Sequence, residues 1–146
     1  MKINKKILDY IINNLPNEKY ESGGLLGSDM LGNVVQVVLD RGLDITKQRS
    51  YSYYPDIQLF NKCIAEWSNS DICFAGIFHT HYSNTAVLSD ADCRYINEIF
   101  SVVPNEIKIL YFPILLVPYK HFIPFSAILN DFGSVEIAED NLDVFT

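Results

Sequence analysis

The chain has 146 residues, a length that suits one domain of ordinary size, residues 1–146, with a core that stands without staples. Nearly half the residues are apolar (49%), and nine Tyr, nine Phe and one Trp add aromatic bulk, which excludes a disordered chain and points to a packed globule. The 11 Lys and Arg form no long basic run against 18 Asp and Glu, and a net charge of -7 argues against nucleic acid as a partner.

Three cysteines, Cys63, Cys73 and Cys93, form no CxxC pair and are odd in number, so neither a zinc ribbon nor a disulfide framework is expected. A reducing cytoplasm is the compartment this implies. The segment Met1 to Lys6 carries the charge of a signal peptide, but Asp9 and Asn13-Asn14 interrupt what would be its apolar region. The longest apolar run, Ile107 to Pro118, contains Lys108 and Pro113 and is too short to cross a bilayer, so no membrane partner is expected.

In chain order, Ile3, Ile7, Leu8, Ile11, Ile12 and Leu15 recur at three- and four-residue intervals up to Pro16, which predicts an amphipathic first helix. Leu25-Leu26 and Val34 to Leu39 read as two strands joined through the turn Gly27 to Gly32. Ile57, Phe60, Ile64 and Trp67 define a second helix with Pro55 near its first turn. Ile72 to His81 reads as a strand. A third helix starts near Ser89, buries Ile96, Ile99, Phe100 and Val103 on one stripe and ends at Pro104. Ile107 to Phe112, Ile114 to Val117, Phe125 to Leu129 and Ser134 to Ile137 follow as strands, with Pro113, Pro118 and Pro124 marking edges or bulges and the acidic tail 136–146 a last strand with a solvated end. The class is α/β in the mixed α+β sense: a curved mixed sheet flanked by about three helices.

The segment Gly76-Ile77-Phe78-His79-Thr80-His81 carries the chemistry. Side chains two apart on a strand share a face, so His79 and His81 can grip one ion while Thr80 points the other way. Seven residues then separate His81 from Ser89, enough for a loop, and Ser89-x-x-Asp92 opens the third helix. A bland reading competes: Ser89 as N-cap with Asp92 at N3 is a capping box, and an oxygen committed to a metal is not the ideal reciprocal cap. The ligand role is favoured because two histidines otherwise lack a third partner. Asp90 reads as a favourable charge at a helix start, Cys93 as small core filler, and His121 as a surface or strand residue.

Glu21, with Ser22-Gly23-Gly24-Leu25-Leu26-Gly27 after it, and His79-x-His81-x7-Ser89-x2-Asp92 resemble the signature of the JAMM (JAB/MPN) zinc metallopeptidases, in the small stand-alone prokaryotic form. Phe78 and Tyr82 stand where such proteins often carry Trp and Pro. The resemblance implies the MPN-type, cytidine-deaminase-like architecture, and one zinc per chain held by His79, His81 and Asp92 with a fourth position open, as in catalytic sites. It implies that Glu21 takes a proton from the attacking water and delivers it to the leaving amine, and that Ser89 donates to the developing oxyanion. The expected substrate is an amide bond after the flexible C-terminal tail of a ubiquitin-like protein, in a conjugate or a precursor, held by β-addition beside an exposed strand. A non-catalytic scaffold of the same fold, binding a ubiquitin-like or complex partner, is the alternative.

Other histidine-pair hydrolases do not match. Ser83, Asn84 and Thr85 occupy the stretch where a cupin needs Glu, and an amidohydrolase barrel needs about 250 residues. The H-E-x-x-H and P-C-x-x-C signatures are absent.

Overall fold

The computed structural model describes residues 1–15, 20–43 and 52–146. Among the described residues, three α-helices lie against a mixed, ten-stranded sheet. The elements run β1 (Lys2–Asn4), α1 (Lys5–Asn13), β2 (Gly23–Ser28), β3 (Val34–Asp40), α2 (Ile57–Trp67), β4 (Cys73–His81), α3 (Asp90–Val102), β5 (Ile109–Tyr111), β6 (Ile114–Leu116), β7 (His121–Ile123), β8 (Phe125–Leu129), β9 (Val135–Glu139) and β10 (Asp143–Phe145), with short 3-10 turns at Ser68–Ser70 and Val117–Tyr119. This is the mixed α+β class expected from the sequence. No helix among the described residues is long and apolar enough to cross a membrane.

The sheet runs β10-β1-β3-β2-β4-β5-β8-β9 and forks at β4. One side of β4 pairs antiparallel with β2 from Gly23↔His79 to Ser28↔Cys73. The other side meets β5 at Gly76↔Tyr111 and then β6 at His79↔Ile114, Thr80↔Leu115 and His81↔Leu116. Strand β6 continues into β7, while β5 continues into β8 and β9. The histidine end of β4 is therefore gripped by backbone bonds on both edges, and that rigidity suits a ligand pair.

Each face of the sheet has its own core. Leu25, Ile77, Leu110 and Ala127 meet Phe60 and Trp67 of α2 and Ile96, Ile99 and Phe100 of α3. Leu26, Ala75, Phe78, Leu115 and Phe122 meet Ile11 of α1 on the opposite face. Strand alternation assigns neighbours such as Leu25 and Leu26, or Ile77 and Phe78, to opposite sides. Ala75 breaks the alternation, lying on the α1 face although Ile77, two residues on, lies on the other. A register shift between Leu26 and Gly27 of β2 explains this: β4 carries an extra residue there, a β-bulge.

Several boundaries differ from the sequence expectation. Ile3 is fully buried but belongs to β1, not to the first helix, which starts after the N-cap Asn4; a three-residue strand abutting a helix mimics helical spacing. Pro16, the expected stop, lies outside the described residues. Val103 is only partly buried and forms the C-cap of α3. Pro113, Pro118 and Pro124 fall between strands or in a turn and break the long apolar tract into short pieces. Strand β7 was not expected, and the acidic tail divides into β9 and β10, the latter pairing in parallel with β1.

Gly76 makes the bulge possible. Its φ is +141, and a Cβ there would overlap the Tyr111 carbonyl oxygen of β5, so L side chains are excluded by conformation and by space. Gly76→Ala is expected to destabilise the fold by on the order of 3 kcal/mol, read as a lowered urea midpoint; an unchanged midpoint would contradict the bulge assignment.

Candidate metal centre

Beyond the bulge, His79 and His81 project from the face that carries α2 and α3. The loop 82–88 returns the chain so that α3 starts beside them, capped by Ser89. Asp92 lies four residues before Ile96 and so shares the inward stripe of α3 at its open end. Ligand atoms of His79, His81 and Asp92 all lie within 4.8 Å of one another. His79 Nε2 is 2.9 Å from His81 Nε2 and 3.8 Å from Asp92 Oδ2, with the two rings edge-on at 68°. Ligands on a tetrahedral ion with bonds of 2.0–2.1 Å stand roughly 3.4 Å apart, so small ring rotations suffice for one ion to take all three. The group could hold one metal ion.

The protonation pattern suits that role. His81 Nδ1 lies 2.7 Å from the Thr85 carbonyl oxygen, which only accepts, so Nδ1 carries the hydrogen and neutral His81 presents a lone pair at Nε2. Burial lowers the His79 pKa to about 4; the Asp92 carboxylate opposes that shift and His81 adds to it. His79 is therefore neutral at pH 7, as a ligand must be.

The capping-box reading of Ser89-x-x-Asp92 is met in the structure. Asp92 N–H donates to Ser89 Oγ (3.1 Å), and Asp92 Oδ2 accepts from Ser89 N–H (2.7 Å) and Ser89 Oγ–H (2.8 Å), a complete capping box. The competition over Asp92 expected from the sequence falls on a single oxygen: Oδ2, which closes the box, is also the one facing His79. The Ser89 hydroxyl hydrogen is committed to Asp92, so Ser89 must rotate before it can donate elsewhere.

Glu21 precedes β2 and is half-buried, its Oε2 accepting a 3.3 Å bond from Tyr53 N–H. Burial raises its pKa above 4.5; His81 and the Tyr53 bond pull it down and Asp92 pushes it up. Glu21, Tyr53, His79, His81, Ser89 and Asp92 line one cavity of about 680 Å³. Tyr95 and Phe112 contribute apolar walls, which limit water and strengthen charge interactions inside.

Supporting residues escaped sequence reasoning. Thr80, fully buried between the histidines, accepts from Ser22 N–H through Oγ1 (2.9 Å) and donates its own N–H to Ser22 O (2.8 Å), so it fixes the residue next to Glu21. A buried Thr must find a partner, which was the available signal. Thr85 and Tyr53 act through backbone groups and leave no signal in side-chain chemistry. Cys93 is half-exposed and joins neither main cluster, contrary to its reading as core filler, while Asp90 occupies the first turn of α3 and His121 opens β7, exposed.

No family model and no curated protein matches the chain. Its fold resembles two solution structures: a protein from Desulfitobacterium hafniense, with TM-score 0.66, 15% identity, and coverage of 99% of this chain and 92% of that one; and a protein from Salinibacter ruber, with TM-score 0.56, 18% identity, and coverage of 99% and 91%. Each likeness is one of fold.

Ionised Glu21 in this half-buried place costs stability in the metal-free protein. The penalty is absent below the unfolded value of 4.5 and full above the raised folded value. Glu21→Gln should therefore raise the melting temperature of the metal-free protein at pH 7 and not at pH 4; a lower melting temperature at pH 7 would contradict the assignment.

Proposed function

We propose that the chain is a zinc-dependent peptidase or isopeptidase of the JAMM (JAB/MPN) type, acting in the cytoplasm on the amide bond that follows the C-terminal tail of a ubiquitin-like protein. The observation that carries this reading is the convergence of His79, His81 and Asp92 on one point of a cavity that also holds Glu21 and Ser89. Two imidazoles and one carboxylate are a donor set suited to zinc and leave a coordination position open. A bound zinc ion supplies Lewis acidity toward a carbonyl and makes water acidic near neutral pH. Three cysteines that are all free thiols support a reducing compartment.

The chain's own residues supply the rest. Glu21, with a pKa raised by burial, accepts a proton from the attacking water and returns it to the leaving amine. Its bond from Tyr53 N–H falls on Oε2, and Oε1 is the oxygen we assign to that exchange. Ser89, freed from Asp92 by rotation, donates to the oxyanion. Thr85 holds His81 in the tautomer that keeps Nε2 unprotonated. An extended tail held beside an exposed strand near the site brings its carbonyl into the cavity.

With a fused ubiquitin-like tail as substrate, Glu21→Gln is expected to keep about one zinc per chain and lose cleavage, while His79→Ala loses both. Cleavage by Glu21→Gln at the parent rate would remove Glu21 from the chemistry. Ser89→Ala is expected to lower kcat by about 10²- to 10³-fold and, through loss of the cap, stability by about 1 kcal/mol; loss of stability alone would leave Ser89 as a cap only.

A further inference from the structure

Glu21 is aimed by a neighbour that is itself unusually well held. Tyr53 donates its backbone N–H to Glu21 Oε2 and its hydroxyl to Asp40 Oδ2 at 2.7 Å. Asp40, the last residue of β3, also accepts from Asp56 N–H through Oδ2 (2.9 Å) and from Gly42 N–H through Oδ1 (3.0 Å). Leu43 N–H donates to Tyr54 O at 2.7 Å, which joins the chain just after β3 to the chain just before α2. The ring of Tyr53 rests on glycine: a Cβ on Gly23 would lie 2.6 Å from its Cε1 and one on Gly42 3.0 Å from its Cδ2. Asp40 pairs with Gly23 across β2 and β3, so the whole assembly is anchored to the sheet two residues from Glu21.

We infer that Asp40 is a positioning residue for Glu21, acting through Tyr53, and that the Asp40 carboxylate fixes the Tyr53 amide that orients the acid/base. A carboxylate is the group this place requires. Three donors converge on two oxygens, and an amide side chain would turn an NH₂ group against either Gly42 N–H or the Tyr53 and Asp56 donors. Asp40 touches neither the metal ligands nor the reacting atoms, so it acts only by geometry, where a shift of about 1 Å costs on the order of 10²-fold in rate. The catalytic consequence rests on reading Glu21 as the acid/base, but the aiming of its carboxylate does not.

The test uses the zinc-loaded full chain, with Asp40→Asn, Tyr53→Phe and Glu21→Ala, and two readouts. Amide hydrogen exchange at Tyr53 is expected to be slow in the parent and at least about tenfold faster in all three variants, because each removes a support or the acceptor of that N–H. In tail cleavage, Asp40→Asn and Tyr53→Phe are expected to lower kcat at least about tenfold with KM within about twofold and zinc content unchanged. Tyr53→Phe keeps the ring on its glycines and serves where Asp40→Asn fails to fold. Unchanged protection in Glu21→Ala, or in both strut variants, overturns the proposal, as does a freed amide with full kcat. A parent chain that binds zinc but cleaves nothing defeats the peptidase reading alone, and the exchange pattern still decides the strut.

Discussion

The site depends on the frame in which β4 crosses the sheet. A strand gives alternate residues to opposite faces, so a slip of one residue would send His79 and His81 toward α1 and present Thr80 to the cavity. The bulge at Gly76 sets that frame: Ala75 lies on the α1 face and Ile77 on the other, and the backbone passes so close to Tyr111 that only glycine fits. Past the bulge, β2 and β6 bind both edges of the histidine segment. The two imidazoles are therefore positioned by backbone pairing before any ligand contributes.

The supporting bonds reuse ordinary folding devices. The Ser89 and Asp92 box that starts α3 also fixes the carboxylate beside His79, so a helix-start motif worth about 1 kcal/mol also orients a group that could bind a metal. Thr80 meets the demand of a buried hydroxyl and in doing so locks Ser22, next to Glu21. The opposite bargain is struck at Glu21, whose burial makes ionisation costly. A stability defect at a residue aimed into a cavity is the pattern expected where chemistry competes with folding.

Much of this was legible in the residues, for reasons that differ by element. Helices α2 and α3 carry enough turns for their apolar stripes to show, and α3 is framed by Ser89 and Pro104. Strands β3 and β4, seven and nine residues long, declare themselves by β-branched and apolar runs, while β2 shows only through Leu25-Leu26 between glycines. Strands β1, β7 and β10, three residues each, hold no period to read, and Ile3 joined the helical stripe of α1 by coincidence of spacing. At the site, His79 and His81 were readable because the chain has only three histidines, whereas Ser89, Asp92 and Glu21 stood out through their spacing and the family resemblance. The bonds from Thr85 and Tyr53 were not, because a carbonyl or an amide is carried by nearly every residue and only the fold says which one arrives. Asp40 looked like any acid at a strand end.

The central claim is that three side chains share one ion through His79 Nε2, His81 Nε2 and the Asp92 carboxylate. A crystal of the full chain grown with zinc, with anomalous data collected on both sides of the zinc edge, tests it directly. One strong peak is expected within bonding distance of those three groups, at about 2.0–2.2 Å, with His81 Nδ1 still on the Thr85 carbonyl. A peak bonded through His81 Nδ1, or zinc found only away from these three residues, would contradict it.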